Sequence, residues 1–318
     1  MPQGYGLTIR VNGAVDVPGH NSNSHHGTSL FVSAPDGLKL HVRRYGPIDA
    51  PGSPVVCLPG LTRTVADFEE LAAALATDRA EPRQVFVLDY RGRGQSDYDR
   101  DPANYSVQVE VADLIAVLTA LGIGPAVFVG TSRGGIITMV LAVARPTAIA
   151  GVVLNDIGPV IEGKGLMRIK GYVGRMPQPK SFAEGAEILR RLFDAQFPKL
   201  DTAGWLKAAH RSWQERNGRL HPVYDVRLAR TLKDIGPDQP LPVLWKEFDA
   251  LARLPLMVIR GANSDILSAE TLAAMQARRT ELGVLIVPDQ GHAPLLAEPD
   301  VIGEIAKFAT RCDDARQH

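Results

Sequence analysis

The sequence is poor in cysteine, has no excess of either charge and contains no long apolar run. Its 318 residues include 2 cysteines, Cys57 and Cys312, which excludes a disulfide framework or a cysteine-rich zinc site but leaves a single bridge open. Lysine plus arginine and aspartate plus glutamate number 35 each, and this balance argues against nucleic-acid binding. The longest uncharged apolar stretch, residues 134–144, is far shorter than the roughly 20 residues that cross a bilayer. We therefore expect neither a nucleic-acid nor a membrane partner.

The first 28 residues differ in character from the rest of the chain. Residues 1–20 lack the apolar core of a signal peptide, so we expect a cytoplasmic protein. Residues 20–27 are polar and rich in turn formers, and we expect residues 1–28 to form a flexible N-terminal extension. Histidines are frequent in this stretch, but no acidic or cysteine residue accompanies them within 20–27, so we expect no metal site there.

Beyond residue 28, short apolar runs alternate with helical patterns. Runs at 30–32 and 38–42 flank a Pro-Asp-Gly turn and predict a β-hairpin. Buried strands are predicted at 54–58, 85–88, 126–129, 152–154, 256–259 and 284–287, and helices at 65–76, 109–121, 134–144 and 300–311. This alternation is typical of an α/β fold with a mostly parallel central sheet flanked by helices. Residues 159–254 break the pattern and predict a largely helical insertion, which leaves 29–158 and 255–318 as the core.

The strongest chemical signal is Gly130-Thr131-Ser132-Arg133-Gly134, which fits the pattern G-x-S-x-G. A buried strand is predicted to end just before this motif and an apolar helix to begin within it, which is the context that the motif requires. Small flanking residues let the backbone close into a sharp strand-to-helix turn. We therefore predict that Ser132 is a nucleophile next to a helix N-terminus, whose free N–H groups suit a developing anion.

A nucleophilic serine needs a base and an acid. Of the 8 histidines, His292 alone follows a core strand, so it can reach the sheet edge that carries Ser132. The acid should hold the imidazole tautomer and stabilise the imidazolium. Asp265 follows the next-to-last predicted strand and gives the order Ser132, Asp265, His292, which favours it as the acid. Asp156, which follows the predicted strand at 152–154, is the rival acid.

An oxyanion hole needs two backbone N–H donors. One is predicted to be the N–H of Arg133, the residue after the nucleophile. The other should come from the loop after the strand at 54–58, where Pro59 has no N–H and Leu61 is the candidate. Arg63 in the same loop could reach an anionic substrate group, although an ion pair within the protein is the commoner role for such an arginine.

Two glycine-rich stretches fail as nucleotide-binding loops. Residues 158–165 nearly match G-x-x-x-x-G-K-[ST], but Gly165 has no hydroxyl for Mg²⁺ and Glu162 would repel phosphate. The run Gly92-Arg93-Gly94 lacks the third glycine of a dinucleotide fingerprint, because Asp97 stands there. No H-E-x-x-H or Cys-x-x-Cys motif occurs. We therefore expect no cofactor and no metal ion.

These motifs together make the chain similar to members of the α/β-hydrolase fold superfamily. The matching segments are Leu58-Pro59-Gly60-Leu61, Asp89-Tyr90-Arg91-Gly92-Arg93-Gly94-Gln95-Ser96, Gly130-Thr131-Ser132-Arg133-Gly134-Gly135, Asp265 and Gly291-His292-Ala293-Pro294. The resemblance covers about residues 29–158 and 255–312, and it implies that the insertion at 159–254 is a helical cap over the active site. Many relatives have His-Gly where this chain has Pro59-Gly60. The serine at position 132 disfavours the epoxide hydrolases and haloalkane dehalogenases of this fold, which use an aspartate nucleophile.

The expected function is hydrolysis of a carboxylic ester or a related acyl bond, such as a lactone, in a small-molecule substrate. The expected intermediate is an acyl-enzyme formed by the Ser132, His292 and Asp265 triad. Three alternatives stay open: hydrolysis of a carbon–carbon bond in aromatic degradation, acyl transfer or perhydrolysis by the same triad, and small-molecule binding without turnover. Carbon–carbon hydrolases usually have Trp-Gly where this chain has Arg260-Gly261. The sequence leaves the substrate and the formation of homo-oligomers open.

Overall fold

A nine-stranded sheet forms the centre of the molecule. The computed structural model describes residues 10–11, 27–236 and 241–317. The strands are β1 (Arg10–Val11), β2 (Thr28–Ser33), β3 (Lys39–Tyr45), β4 (Val55–Leu58), β5 (Val85–Asp89), β6 (Ala126–Thr131), β7 (Ile149–Asn155), β8 (Trp213–Arg216), β9 (Arg219–Pro222), β10 (Leu256–Gly261) and β11 (Gly283–Val287). The order in the sheet is β1-β2-β3-β5-β4-β6-β7-β10-β11. Pairing is antiparallel from β1 through β3 to β5 and parallel from β5 to β11, which confirms the predicted, mostly parallel sheet.

Helices cover both faces of this sheet. The α-helices are α1 (Glu69–Thr77), α2 (Val107–Ala120), α3 (Arg133–Ala144), α4 (Gly163–Tyr172), α5 (Phe182–Phe193), α6 (Thr202–Ser212), α7 (Trp245–Asp249), α8 (Ala269–Arg278) and α9 (Pro299–Gln317). Short 3₁₀ helices span Val65–Phe68, Pro102–Asn104, Pro146–Ala148 and Val226–Leu232. Buried side chains of α2, α3 and α8 belong to one apolar cluster and those of α1 and α9 to another. Strands β5 and β7 are buried along their whole length, as expected for strands covered on both faces.

The segment between β7 and β10 has a small core of its own. It holds helices α4 to α7 and the hairpin of β8 and β9. Trp205 and Trp213 are buried in this small core, whereas Trp245 packs against the main core. The sequence did not predict the hairpin, because each of its 4-residue strands buries a single side chain. We keep the name proposed cap for residues 159–254.

Little of the N-terminal extension falls within the described residues. Arg10 and Val11 pair antiparallel with Phe31 and Leu30 of β2. We predicted that residues 1–28 are a flexible extension. Residues 1–9 and 12–26 of that extension lie outside the described residues. In the part of the chain that the structure describes, no helix is both long enough and apolar enough to cross a membrane.

Helix α3 and strand β4 approach each other closely at Gly134. A Cβ atom at this position would lie 2.0 Å from the carbonyl oxygen of Leu58. Because the obstructing atom belongs to the backbone of a central strand, it cannot turn aside as a flexible side chain can. The glycine therefore sets how near α3 can lie to the sheet.

Replacing Gly134 with alanine should destabilise the fold by about 1–3 kcal/mol, because the added methyl group overlaps the Leu58 carbonyl. Gly303 in α9 is the matched control, since a Cβ atom there meets nothing within 4 Å. Gly303→Ala should leave stability unchanged or raise it by about 0.5–1 kcal/mol, because alanine favours the helix and restricts the unfolded chain. Denaturant unfolding measures both variants, and equal midpoints would contradict the close contact.

Candidate active site

Three side chains form a continuous hydrogen-bonded chain at the carboxyl edge of the sheet. Ser132 Oγ lies 2.9 Å from His292 Nε2, and His292 Nδ1 lies 2.8 Å from Asp156 Oδ2. Ser132 follows β6, Asp156 follows β7, and His292 lies in the loop after β11. Because parallel strands end at one edge, these residues meet although they are far apart in sequence. The structure therefore brings Ser132 and His292 together as predicted, with Asp156 as the third member.

Ser132 sits on a strained turn between β6 and α3. Its φ of 50° and ψ of −109° lie outside the regions that side-chain-bearing residues prefer. Its backbone N–H donates to the carbonyl oxygen of Asn155 at 3.0 Å, which ties the turn to β7. A Cβ atom at Gly130 would lie 2.6 Å from the backbone of Gly134. Gly130 is thus required by the contact between the two arms of the turn, whereas Gly134 is required by the contact of α3 with β4.

The carboxylate of Asp156 is buried and held by three donors. Its exposed fraction is 0%. Besides the contact with His292, Oδ1 accepts from the N–H of Gly261 at 2.8 Å, and Oδ2 accepts from Ser264 Oγ at 2.6 Å. A buried carboxylate needs such compensation for the water that it loses. The same bonds fix its direction, so Asp156 can hold one tautomer and orientation of the imidazole.

The predicted contact between Asp265 and His292 is wrong. Asp265 instead pairs with Arg168 of α4, with Nε–Oδ2 at 2.6 Å and Nη2–Oδ1 at 2.8 Å. Burial raises the pKa of Asp265, but the hydrogen bonds and charge of Arg168 outweigh burial and hold that pKa below its usual range. Asp265 therefore joins the core to the proposed cap.

The order of strands in the sheet explains why Asp156 takes this place. Strand β7 is the direct neighbour of β6, so the residue that follows β7 lies beside Ser132. Strand β10 lies one position further away, and Asp265 stands four residues beyond its end at Gly261. Both candidates satisfy the chain order serine, aspartate, histidine, so that order could not separate them. The useful signal was the position of Asp156 directly after a buried strand.

Two further residues support the histidine and the acid without being marked by any motif. Gln196, in the proposed cap, accepts a hydrogen bond from the backbone N–H of His292 at 3.1 Å through Oε1. Its carbonyl oxygen accepts from Asn263 Nδ2 at 3.2 Å. Ser264 donates to the acid as described above. These contacts join segments that are distant in sequence, and for that reason sequence patterns did not reveal them.

The loop after β4 lies against the nucleophile, as the predicted oxyanion hole requires. A Cβ atom at Gly60 would lie 3.9 Å from the Cβ of Ser132. Within the described part of the chain, neither the N–H of Leu61 nor that of Arg133 donates to another backbone carbonyl. Arg93 Nε donates to the carbonyl oxygen of Leu61 at 2.8 Å. Both predicted donors are thus free of backbone partners near Ser132.

Ser132 and His292 line a cavity of about 170 Å³ between the core and the proposed cap. The cap supplies an apolar wall that includes Ile169, Tyr172, Phe193, Phe197, Trp205 and Tyr224. The lining also includes two charged side chains, Arg63 of the loop after β4 and Arg211 of α6. Arg63 pairs with Asp67, and Arg211 pairs with Glu70. Among the described residues, no group of three histidine, cysteine or acidic side chains is arranged to hold a metal ion.

A second hydrogen-bonded serine, histidine and aspartate lie elsewhere in the core. His41 Nε2 lies 2.9 Å from Ser29 Oγ, and His41 Nδ1 lies 2.7 Å from Asp89 Oδ2. The side chains of His41 and Asp89 are 0% exposed. None of the three lines the cavity, and Ser29 lies within strand β2 rather than on a strand-to-helix turn. This group fastens β2, β3 and β5 to one another, and it provides an internal comparison for Ser132.

Comparisons with known proteins give a family match, related sequences and a related crystal structure. The sequence profile of the alpha/beta hydrolase family matches residues 55–305. The chain is 32% identical to the 3-hydroxybutyrate-oligomer hydrolase of Cupriavidus necator, over 88% of this chain and 97% of that protein. It is 25% identical to the 2-(acetamidomethylene)succinate hydrolase of Mesorhizobium japonicum, over 83% and 88%. A crystal structure of an alpha/beta hydrolase from Novosphingobium aromaticivorans is 41% identical, with a TM-score of 0.83 over 90% of this chain and 99% of that one.

The two aspartates give a direct test of the site. Asp156→Asn should lower kcat for p-nitrophenyl acetate by about 10⁴-fold, because an amide neither fixes the productive tautomer nor stabilises the imidazolium. Asp265→Asn removes a carboxylate that contacts Arg168 instead, so kcat should fall by less than about tenfold. Steady-state kinetics of the two variants measure the difference. A larger loss for Asp265→Asn would return the acid role to Asp265.

Proposed function

Because this chain belongs to the alpha/beta hydrolase family and is a hydrolase, we propose that it cleaves carboxylic esters through an acyl-enzyme on Ser132. The observation that carries the proposal is the unbroken chain of contacts from Ser132 Oγ through His292 to Asp156, at 2.9 and 2.8 Å, which opens on the cavity. A hydroxyl on a strand-to-helix turn that faces a cavity, within hydrogen-bond reach of an imidazole that a buried carboxylate orients, is the arrangement of an activated serine.

The first half of the proposed reaction forms the acyl-enzyme. Ser132 Oγ attacks the ester carbonyl carbon while His292 Nε2 takes the hydroxyl proton. The carbonyl oxygen becomes an oxyanion, which accepts hydrogen bonds from the N–H groups of Leu61 and Arg133. The tetrahedral intermediate then collapses. The bond to the alcohol oxygen breaks, and His292 gives its proton to the leaving alcohol.

The second half releases the acid. Water attacks the acyl carbon and loses a proton to His292, and a second tetrahedral intermediate forms at the same oxyanion donors. Its collapse breaks the bond to Ser132 Oγ, which recovers the proton from His292. Throughout, the Asp156 carboxylate orients His292 and stabilises the imidazolium. The cycle consumes one water and yields one alcohol and one acid, so it needs no cofactor.

We propose short hydroxyacyl esters as the substrate class. A cavity of about 170 Å³ is close in size to the apolar cavity of roughly 150 Å³ that holds benzene in a well-studied protein, and it suits a short acyl group. The relative from Cupriavidus necator is named for hydrolysis of 3-hydroxybutyrate oligomers, and it aligns over 88% of this chain. Two guanidiniums in the lining, those of Arg63 and Arg211, suit a substrate that carries a hydroxyl or carboxylate.

Labelling with a fluorophosphonate probe tests the nucleophile. Wild-type protein should be labelled and Ser132→Ala should not, because an activated serine hydroxyl displaces fluoride from the probe and is phosphonylated. Ser29→Ala is the matched control, since Ser29 also contacts a buried histidine that pairs with an aspartate. This control should be labelled like wild type. Labelling that disappears with Ser29 and persists without Ser132 would overturn the proposal.

A substrate panel tests the proposed class. The dimer of 3-hydroxybutyrate should be cleaved with a kcat/KM at least about tenfold above that of p-nitrophenyl palmitate, because a long acyl chain exceeds the cavity. Ser132→Ala is the background control for both substrates. A preference for the long chain would contradict the proposed size limit. Transfer of the acyl group to added methanol in place of water would show acyl transfer.

A further inference from the structure

A buried group of charges contacts the two segments that carry the candidate oxyanion donors. Glu110 of α2 pairs with Arg93, with Nη1–Oε1 at 2.7 Å, and with Arg133, with Nε–Oε2 at 2.7 Å. The side chains of Glu110 and Arg93 are 0% exposed, and that of Arg133 is 15% exposed. We call these three residues the Arg–Glu–Arg cluster. None of its side chains takes part in the reaction proposed above.

Each arginine of the cluster fixes one half of the oxyanion hole. Arg93 Nε donates to the carbonyl oxygen of Leu61 at 2.8 Å, which holds the loop after β4. Arg133 carries the second donor on its own backbone, and its Nη2 also donates to the carbonyl oxygen of Tyr105 at 3.1 Å. The carboxylate of Glu110 therefore connects the two segments whose relative position defines the hole.

We propose that Glu110 is a positioning residue that sets the separation of the Leu61 and Arg133 N–H donors through Arg93 and Arg133. The inference rests on the proposed function, because it concerns the oxyanion of that reaction. Donors fixed before the reaction need no reorganisation when charge develops on the carbonyl oxygen. Their displacement weakens binding of the transition state more than binding of the ester. Displacement of these two N–H donors should therefore lower kcat and leave KM nearly unchanged.

The charges of the cluster support this role. Burial raises the pKa of Glu110, but the guanidiniums of Arg93 and Arg133 outweigh burial and hold that pKa below its usual range. Glu110 therefore stays ionised, and two guanidiniums beside one carboxylate give the cluster a net positive charge. A positive charge next to the oxyanion hole favours an oxyanion. A buried Arg–Glu–Arg group contributes little to stability by itself, because desolvation of the ions offsets their attraction.

The same helix provides a matched control. Asp113 lies one turn after Glu110, and it pairs with Arg91, with Nε–Oδ2 and Nη2–Oδ1 both at 2.7 Å. The side chains of this pair are each 1% exposed. The Asp113 carboxylate contacts Arg91 rather than Arg93 or Arg133. Loss of Asp113 thus disturbs a buried ion pair between α2 and the loop after β5, without removing a contact of Arg93 or Arg133.

The test compares Glu110→Gln with Asp113→Asn in the full chain. Glu110→Gln should lower kcat for p-nitrophenyl acetate by about 10- to 100-fold, with KM within about threefold of wild type. Affinity for phenylboronic acid, which forms a tetrahedral adduct with the serine, should fall in parallel. Asp113→Asn should keep kcat within about threefold, even if thermal unfolding shows a similar loss of stability in both variants.

Arg93→Lys and Arg91→Lys form a second pair in case Glu110→Gln does not fold. Lysine keeps the positive charge but lacks the guanidinium fork that reaches both the Leu61 carbonyl and Glu110. Arg93→Lys should therefore show the larger fall in kcat. If Arg93→Lys and Arg91→Lys both fold and have equal kcat values, the positioning role of Glu110 is overturned. Absence of ester hydrolysis by the wild-type protein would instead refute the proposed function, so the two failures are distinguishable.

Discussion

The positive φ of Ser132 is the constraint on which the site depends. Holding a serine at φ 50° costs on the order of 1–3 kcal/mol, and the surrounding structure must compensate for that strain. It does so through the close fit of α3 against β4 at Gly134, and through the bond from Ser132 N–H to the carbonyl oxygen of Asn155. The strained turn has two consequences at once. It turns Oγ toward His292, and it places the N–H of Arg133 at the free N-terminus of a helix. The candidate nucleophile and one candidate oxyanion donor thus come from one local conformation.

Local features of this kind can be predicted from sequence, and relations between distant segments cannot. The strands β4 to β7 are continuous apolar runs because they are covered on both faces, and the glycines beside Ser132 mark the turn that needs them. His292 could be found because it follows the last strand of the core. Helix α8 was missed because its apolar stripe is short, with Leu272 and Met275 as its only large buried side chains among the described residues. The hairpin of β8 and β9 was missed for a similar reason, since each of its strands buries a single side chain.

The acid shows where sequence reasoning fails in physical terms. Asp156 and Asp265 both follow core strands, and both precede His292 in the chain. The two aspartates differ in the distance of their strands from β6, because β7 is its neighbour in the sheet and β10 is not. That order depends on where β10 joins the sheet after roughly ninety inserted residues. The pair Ser29 and His41 adds a related lesson. Its distances to each other and to Asp89 match those of the candidate triad, yet it lacks the strained turn and the cavity. Hydrogen-bond geometry alone therefore does not identify a nucleophile.

The proposed cap contacts the machinery of the site as well as the space above it. Gln196 accepts from the N–H of His292, which holds the loop of the base. Val223 and Asp225 exchange backbone hydrogen bonds with Gly94 and Gly92, in the loop whose Arg93 holds Leu61. The first contact reaches the candidate base directly, and the second reaches Leu61 through Arg93. A change of packing inside the cap would consequently reach the base and the oxyanion donors. Substitutions in this segment should therefore alter kcat as well as substrate choice, which a cap that only encloses the substrate would not do.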